Sequence, residues 1–553
     1  MSPRTTDVDP PRAAPRQTPL SLDSRALWVR VLPAALAALL IRVTVAAVDR
    51  IPTADATAFL TSGESLLSGD GYARYGVAET GVPPLVPAML AGLARLFDDA
   101  TVGFSAHHVL WGTVLVFPVA AVGLAVAGPR AGLRAAWAAA LSPGLAVALG
   151  ISGGGSELPA LVALFTALAL VVDRAAAPVG WRAAAIGASC GLAYLFRADT
   201  LLACLLVLAA LWLRLHRRRS GGTGQTWRAT VTASAVALVV ALPWPVWVYE
   251  QTGRVQLSGK ASESTIEGWE ALARHDRVAR DALIYRLDDS GEIVGRQQVS
   301  LVALATADPR SFLSVQRENL ATLAEEVLVP QARWPASSWT LPPSWELVPL
   351  PGLLLAAWAA WRRRRQPRVQ LLLGVAAANV VVIMAFFVQD RYLATSVAVA
   401  CVLIGAGLAD LPSSSARRAT QSLLVVLAAL AIGADVTSRL AGPPSSEPTD
   451  HRAVGEMLAT STSADESVMT RSMTVRYYLG RRTVPFPYGE PDEVMDYACR
   501  KGVDLIVVDE RQVAQMRPQL QPWLGSGPWP GLRLDMELVV DGRLVRVLET
   551  TDC

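Results

Sequence analysis

The chain has 553 residues, of which 52% are hydrophobic and 18% charged, where a soluble domain carries roughly 25% charged residues. That balance excludes an ordinary soluble enzyme and predicts a polytopic α-helical membrane protein. The net charge of +3 is no sign of nucleic acid, because the basic residues, nearly all arginine, sit in short loops between apolar runs.

Residues 1–25 are rich in Pro, Thr and Arg and read as a disordered tail with little to bury. Ala26–Val48 is the first apolar run, too long for a signal-peptide core and therefore an uncleaved anchor. Next comes a polar stretch, Asp49–Met89, with Phe59, Leu60, Gly63, Leu66 and Leu67 at helical spacing. One apolar stripe against a polar face predicts a helix lying along a membrane surface, with Asp55 at its start. Gly69, Gly71 and Tyr72 end that helix and Pro83-Pro84 opens another.

Apolar runs then recur near 104–127, 131–150, 157–173, 182–197, 199–214 and 229–249, and again near 345–361, 369–388, 391–409 and 418–435. With the first run, that predicts about eleven spans of roughly 20 residues. Between the two groups, Pro309–Val327 reads as an amphipathic helix with Phe312, Leu313, Leu320 and Leu323 on one face. Beyond 440 the chain is polar. Leu505–Val508 and Glu537–Val540 are strand-like and Asp492–Arg500 is helical, so residues 440–553 are expected to form a small α/β domain.

The arginines set the orientation. Arg130 and Arg134, Arg174 and Arg182, Arg214 to Arg228, Arg362 to Arg368, and Arg417 with Arg418 all fall in alternate loops. By the positive-inside rule these loops and the N-terminus are cytosolic. The Asp55 stretch, the 250–343 interval and the tail domain then lie on the outer face of the cell membrane. Rich Arg and Ala usage reads as a bacterial coding bias. Of the five cysteines, Cys190, Cys204 and Cys401 lie in apolar runs, while Cys499 and Cys553 share the polar tail, where an oxidising compartment would let them pair.

No His, Cys, Asp or Glu grouping has metal-ligand spacing; the adjacent His107 and His108 point to different helix faces. Gly-rich runs do not sit between a strand and a helix, so no nucleotide loop is expected. The chemistry-bearing residues collect instead at the outer ends of spans. Asp55 is either a first-turn residue complementing the helix dipole or a base at the membrane interface. Glu157 opens a later span after Gly153-Gly154-Gly155, while Arg197 and Arg391 stand beside Asp199 and Asp390 and suit either ion pairing or a phosphate.

Several segments carry a family resemblance. Asp55, GDGY (69–72) and PPLVPAMLAGLARLF (83–97) look like the start of the C-type (GT-C), polyprenyl-phosphate-dependent membrane glycosyltransferases, the mannosyl- and aminoarabinose-transferase-like group. SELPALVALFTALAL (156–170) resembles the acidic opening of a later span in that family. GLAYLFRADTLL (191–202) resembles its Arg-bearing segment and QDRYLA (389–394) its Arg-Tyr element. HRAVGEMLA (451–459), YYLGRRTVPFP (477–487) and KGVDLIVVDE (501–510) look like its soluble tail domain.

The resemblance implies a GT-C-like membrane domain over 26–439 followed by an extracytoplasmic α/β domain, and transfer of a sugar from a polyprenyl-phosphate donor to a glycan, lipid or protein hydroxyl. It places the catalytic carboxylate, acting as base, on Asp55, with Glu157 in the same cavity orienting the acceptor or assisting a divalent metal, which the sequence does not require. Arg197 and Arg391 become donor-phosphate ligands. Relatives carry a lysine before the Pro-Pro pair, where this chain has Val82, so Lys260 or Arg74 would supply that contact. Glu64, Glu79, Tyr72 and Tyr392 are further candidates. The alternatives are a transporter or flippase for lipid-linked sugars, or a catalytically degenerate envelope scaffold. Against transport stand the lack of an internal repeat and the placing of acidic residues at span ends rather than the midplane.

Overall fold

A computed structural model describes residues 24–48, 52–148, 155–173, 180–217, 223–255, 276–293, 305–306, 309–328, 348–385, 390–441, 447–540, 542–551 and 553. Among them, six helices are long and apolar enough to cross a membrane: Trp28–Val48, Ala100–Ala127, Ala198–His216, Pro367–Ala385, Arg391–Asp410 and Ser414–Ala434. Trp227–Ala241 and Pro243–Thr252 make a seventh if the pair, bent by 41°, is one span; Pro243 and Pro245 explain the bend. The protein is thus a membrane protein. Other runs expected to span are shorter helices, Pro129–Leu141, Glu157–Val172, Trp181–Phe196 and Leu350–Arg362. Pro143 closes the first of these, and a π-turn, Gly144–Ala148, follows instead of continued helix.

The helices share one core, in which Phe59, Leu60, Val86, Leu161, Phe165, Ile186 and Val402 are buried together. Helix Arg391–Asp410 is the centre of it, and nearly every residue from Ala394 to Leu408 is buried. A helix apolar on all sides has no face for solvent, and here it is sheathed by other helices.

The loop helix Ala54–Ser68 begins at Thr53, whose hydroxyl accepts from the Ala56 amide at 3.2 Å, and ends at Gly69 in the left-handed region. It does not lie open on a surface. Thr57, Ala58, Phe59, Leu60, Ser62 and Gly63 are all buried, while Leu67 of the expected stripe is exposed. Gly63 permits this: a Cβ there would stand 2.0 Å from the Pro87 carbonyl oxygen. Helix Leu85–Phe97 packs against the loop helix at that point and covers its apolar side. The amphipathic helix Pro309–Leu328 turns only part of its expected face inward, Leu323 packing against the core. Val315 and Asn319 are buried, with Asn319 Nδ2 donating to the Met384 carbonyl at 2.9 Å, while Leu313 and Leu320 are exposed.

The tail carries a five-stranded sheet in the order β4-β3-β5-β7-β6 (Thr483–Pro485, Val468–Thr470, Leu505–Asp509, Arg543–Thr550, Leu532–Val540), parallel across β4-β3-β5 and antiparallel beyond. The apolar run of β5 is explained by two cores. Ile506 and Val508 face one with Trp523, and Leu505 and Val507 face another with Leu458. A buried chain of polar groups pins helix Glu447–Ser461 to the sheet: His451 lies 2.8 Å from the Ser472 hydroxyl and 3.3 Å from Asp509. Ser472 and Asp509 each cap a following helix. Cys499 and Cys553 form a disulfide that ties the C-terminal residue to helix Pro491–Lys501.

Candidate active site

Asp55 sits in the first turn of the loop helix, 44% exposed, and its Oδ2 accepts from Arg391 Nη1 at 2.9 Å. The two residues are 336 positions apart, so tertiary packing alone joins them. Arg391 lies in the short 3-10 turn Asp390–Leu393 that leads into the buried helix. That turn is anchored by Asn379, whose amide donates to the Tyr392 carbonyl at 3.0 Å and accepts from Ser396 at 3.0 Å. Asn379 was not singled out from sequence, although a lone amide inside the apolar run VAAANVVVIMA was the available signal.

Glu157 opens its helix facing a cavity that Arg197, Asp199, Asn379, Arg391 and Tyr392 also line. Arg197 binds two carboxylates at once: Nη1 donates to Glu157 at 2.6 Å, while Nε and Nη2 hold Asp199 at 3.0 and 2.6 Å. Tyr392 lies between the two cations, its ring centre 5.1 Å from the Arg197 guanidinium carbon and 5.0 Å from that of Arg391. The backbone before Glu157 is fixed from below. His107 Nε2 is 2.8 Å from the Gly155 carbonyl oxygen, and Gly155 adopts φ +92° against that ring. His108 turns to its own helix, with Nδ1 at 3.0 Å from the Phe104 carbonyl.

Asp55 joins this cavity through Arg391 and does not itself line it, and the other predicted residues lie nearby without lining it either. Arg74 pairs with Glu79 at 2.9 Å across the β1-β2 hairpin (Ala73–Arg74, Val77–Ala78). Glu79, 3% exposed, also accepts from the Gly81 amide at 2.7 Å. Tyr72 is buried against Trp244 and Trp247, and its hydroxyl donates to the Val82 carbonyl at 2.6 Å. Val82 itself is buried. These contacts fix the path from the loop helix to Pro83. Glu64 accepts from Tyr477 of the tail domain at 2.8 Å, and burial pushes its carboxyl above the ordinary carboxylate value against that bond and Arg95. Lys260 lies outside the described residues. Among the described residues no three His, Cys, Asp or Glu side chains group around a common point.

The tail domain and the second loop close over this end. Asp281, unmarked in the sequence reading, is buried between Arg471 at 2.7 Å and Arg517 at 2.6 Å. Tyr75 donates to the Met473 carbonyl at 3.2 Å, and Arg476 lies over its ring.

No family model matches the sequence, and neither does any curated protein. Solved structures do. ArnT from Cupriavidus metallidurans bound to undecaprenyl phosphate superposes with a TM-score of 0.59 at 13% identity, over 95% of this chain and 98% of that one. The chain has the GT-C fold. The same GT-C fold relates it to the archaeal oligosaccharyltransferase AglB from Archaeoglobus fulgidus, solved with an inhibitory peptide and a dolichol-phosphate, at TM-score 0.52 and 15% identity, over 89% of this chain and 70% of that one. It also relates it to the arabinofuranosyltransferase AftD from Mycobacteria, at TM-score 0.53 and 15% identity, over 96% of this chain and 40% of that much longer one. The resemblance read from the sequence and the GT-C fold therefore agree over most of the chain, tail domain included.

Proposed function

We propose that this protein is an inverting membrane glycosyltransferase that moves a sugar from a polyprenyl-phosphate donor to an acceptor hydroxyl at the outer face of the cell membrane. The observation that carries it is the Asp55–Arg391 pair, with Arg391 lining a cavity that Arg197 and Glu157 also line. Undecaprenyl phosphate and dolichol-phosphate bound to proteins of this fold support the donor class.

The acceptor oxygen attacks the anomeric carbon as the bond from that carbon to the phosphate oxygen breaks, in one in-line displacement. The hydroxyl proton goes to Asp55, and the departing lipid phosphate keeps the bonding electrons. Arg391 serves both groups in turn. An arriving phosphate draws its guanidinium from Asp55, which frees the carboxylate to take the proton and stabilises the leaving group. Arg197 is the second cation, held in place by Asp199, and Glu157 orients the acceptor.

The division into 1–25, 26–439 and 440–553 fits this reading, with the tail domain contributing to the acceptor side because it covers the loop helix. The arginine distribution supports a cytosolic N-terminus, and the Cys499–Cys553 disulfide supports an oxidising compartment for the tail.

The test is transfer by purified protein across a panel of radiolabelled polyprenyl-phosphate sugars and acceptors, with the anomeric configuration of the product determined. Labelled product of inverted configuration is expected. Retained configuration would overturn the single displacement. No transfer across the panel, with flipping of the lipid in vesicles, would give the protein to the transporter class.

A further inference from the structure

The bundle holds a second cavity at its other end. Arg391 begins the central helix and Asp410 closes it 20 residues along, so the two ends stand roughly 30 Å apart at 1.5 Å per residue. The cavity, of about 420 Å³, lies between helices Pro129–Leu141, Leu350–Arg362, Ala394–Asp410 and Ser414–Ala441. Trp137, Leu141, Ile404, Leu424 and Ala428 give it apolar walls. From Arg134 to Leu141 on one wall it follows about 10 Å of helix, most of the roughly 15 Å depth of one leaflet's hydrocarbon.

One charged group lines it. Arg134 faces the cavity, and its Nη1 is shielded from solvent with no hydrogen-bond partner. Arg130 and Arg417 stand close enough to repel its charge. Asp410 does not relieve this, since Arg363 already grips both its oxygens at 2.8 and 2.6 Å. A shielded guanidinium N–H without an acceptor is destabilising, and a ligand oxygen would relieve it. Setting the orientation of the spans calls for positive charge in the loops; it does not call for a guanidinium N–H hidden at the head of an apolar slot.

We propose that this cavity binds an anionic phospholipid, one acyl chain in the slot and the headgroup phosphate on Arg134, with Arg130 and Arg417 beside it. Three cations at the mouth favour a lipid with net negative charge over a zwitterionic one of equal chain length. The site is separate from the donor cavity and does not depend on the glycosyltransferase reading.

Native mass spectrometry of the delipidated full chain tests it, with palmitoyl-oleoyl phosphatidylglycerol titrated against the matching phosphatidylcholine. Phosphatidylglycerol is expected to be retained at a concentration at least about tenfold lower, an arginine–phosphate contact being a charge-assisted bond of about 1.5–3 kcal/mol. Arg134→Gln should erase that preference, and Ala428→Phe, which fills the slot, should lower retention of both lipids. Arg134→Lys keeps the charge without the fork and should fall between, which covers the case of Arg134→Gln failing to fold. Equal retention of the two lipids by the native chain, or a preference that survives Arg134→Gln, would overturn the proposal. So would displacement of phosphatidylglycerol by equimolar undecaprenyl phosphate, since the slot would then hold a polyprenyl tail.

Discussion

The two ends of the helical bundle handle charge in opposite ways. At the Asp55 end, carboxylates meet arginines brought from distant parts of the chain: Asp55 with Arg391, Glu157 with Arg197, and Asp281 with Arg471 and Arg517. At the other end arginines predominate. Among the described residues, the carboxylates paired there are Asp410, held by Arg363 at 2.6 Å, and Asp173, held by Arg182 at 3.2 Å. Buried pairs need partners at close range, because removing one leaves an uncompensated charge. A belt of arginine at a membrane face can rely on lipid phosphate and water instead. The first arrangement sets paired carboxylates and arginines around one small cavity, where the proposed reaction needs a phosphate to exchange with a carboxylate. The second anchors the bundle.

That contrast can be broken at several points. Asp281→Asn should have the largest structural effect, since it leaves Arg517 buried beside Arg471 with the carboxylate charge between them gone. A loss of about 3–5 kcal/mol is expected for a broken buried pair, read as a lowered unfolding midpoint for the tail domain. Cys499→Ser removes the disulfide and should cost about 2–4 kcal/mol, with native chain in reductant matching the variant. Arg391→Lys keeps a cation but loses the planar fork. It should lower transfer by about 10–100-fold, the equivalent of one charge-assisted bond of about 1.5–3 kcal/mol, with Arg364→Lys at the opposite end leaving the rate unchanged.

The smallest effect is a pH dependence. Burial raises the Glu64 carboxyl in the folded protein, so the folded state holds that proton more tightly than the unfolded one. The contribution is present at low pH and lost as pH rises through the raised value, so the hold of the tail domain on the loop helix should weaken in that direction. Tyr477→Phe removes the bond that opposes the shift and should move the loss to higher pH, at a cost of about 1 kcal/mol. Hydrogen exchange in helix Met473–Leu479 is the measurement.

Most of the architecture was legible because bilayer thickness imposes long apolar runs on the sequence. Where Pro143 interrupts a run the composition hid the break, since a closed helix and a continuing one share the same apolar residues there. Asp55, Glu157, Arg197 and Arg391 stood out as ionisable groups at span ends, but their pairing did not. Neither the 336 positions from Asp55 to Arg391 nor the placing of Asp281 between two arginines leaves a local pattern. The loop helix showed its stripe correctly in period yet misleadingly in purpose. Its small residues, Gly63 above all, fit it under helix Leu85–Phe97 rather than onto a membrane surface.

In the proposed displacement Asp55 takes the acceptor's proton. Single-turnover transfer by Asp55→Asn, which preserves shape and removes the charge, tests it most directly against the native chain in the same lipid mixture. A loss of about 10²–10⁴-fold is expected, the usual contribution of a general base, with donor binding and unfolding midpoint little changed. Transfer at the native rate by Asp55→Asn would rule this out and move the base to a residue lining the cavity, with Glu157 first in line.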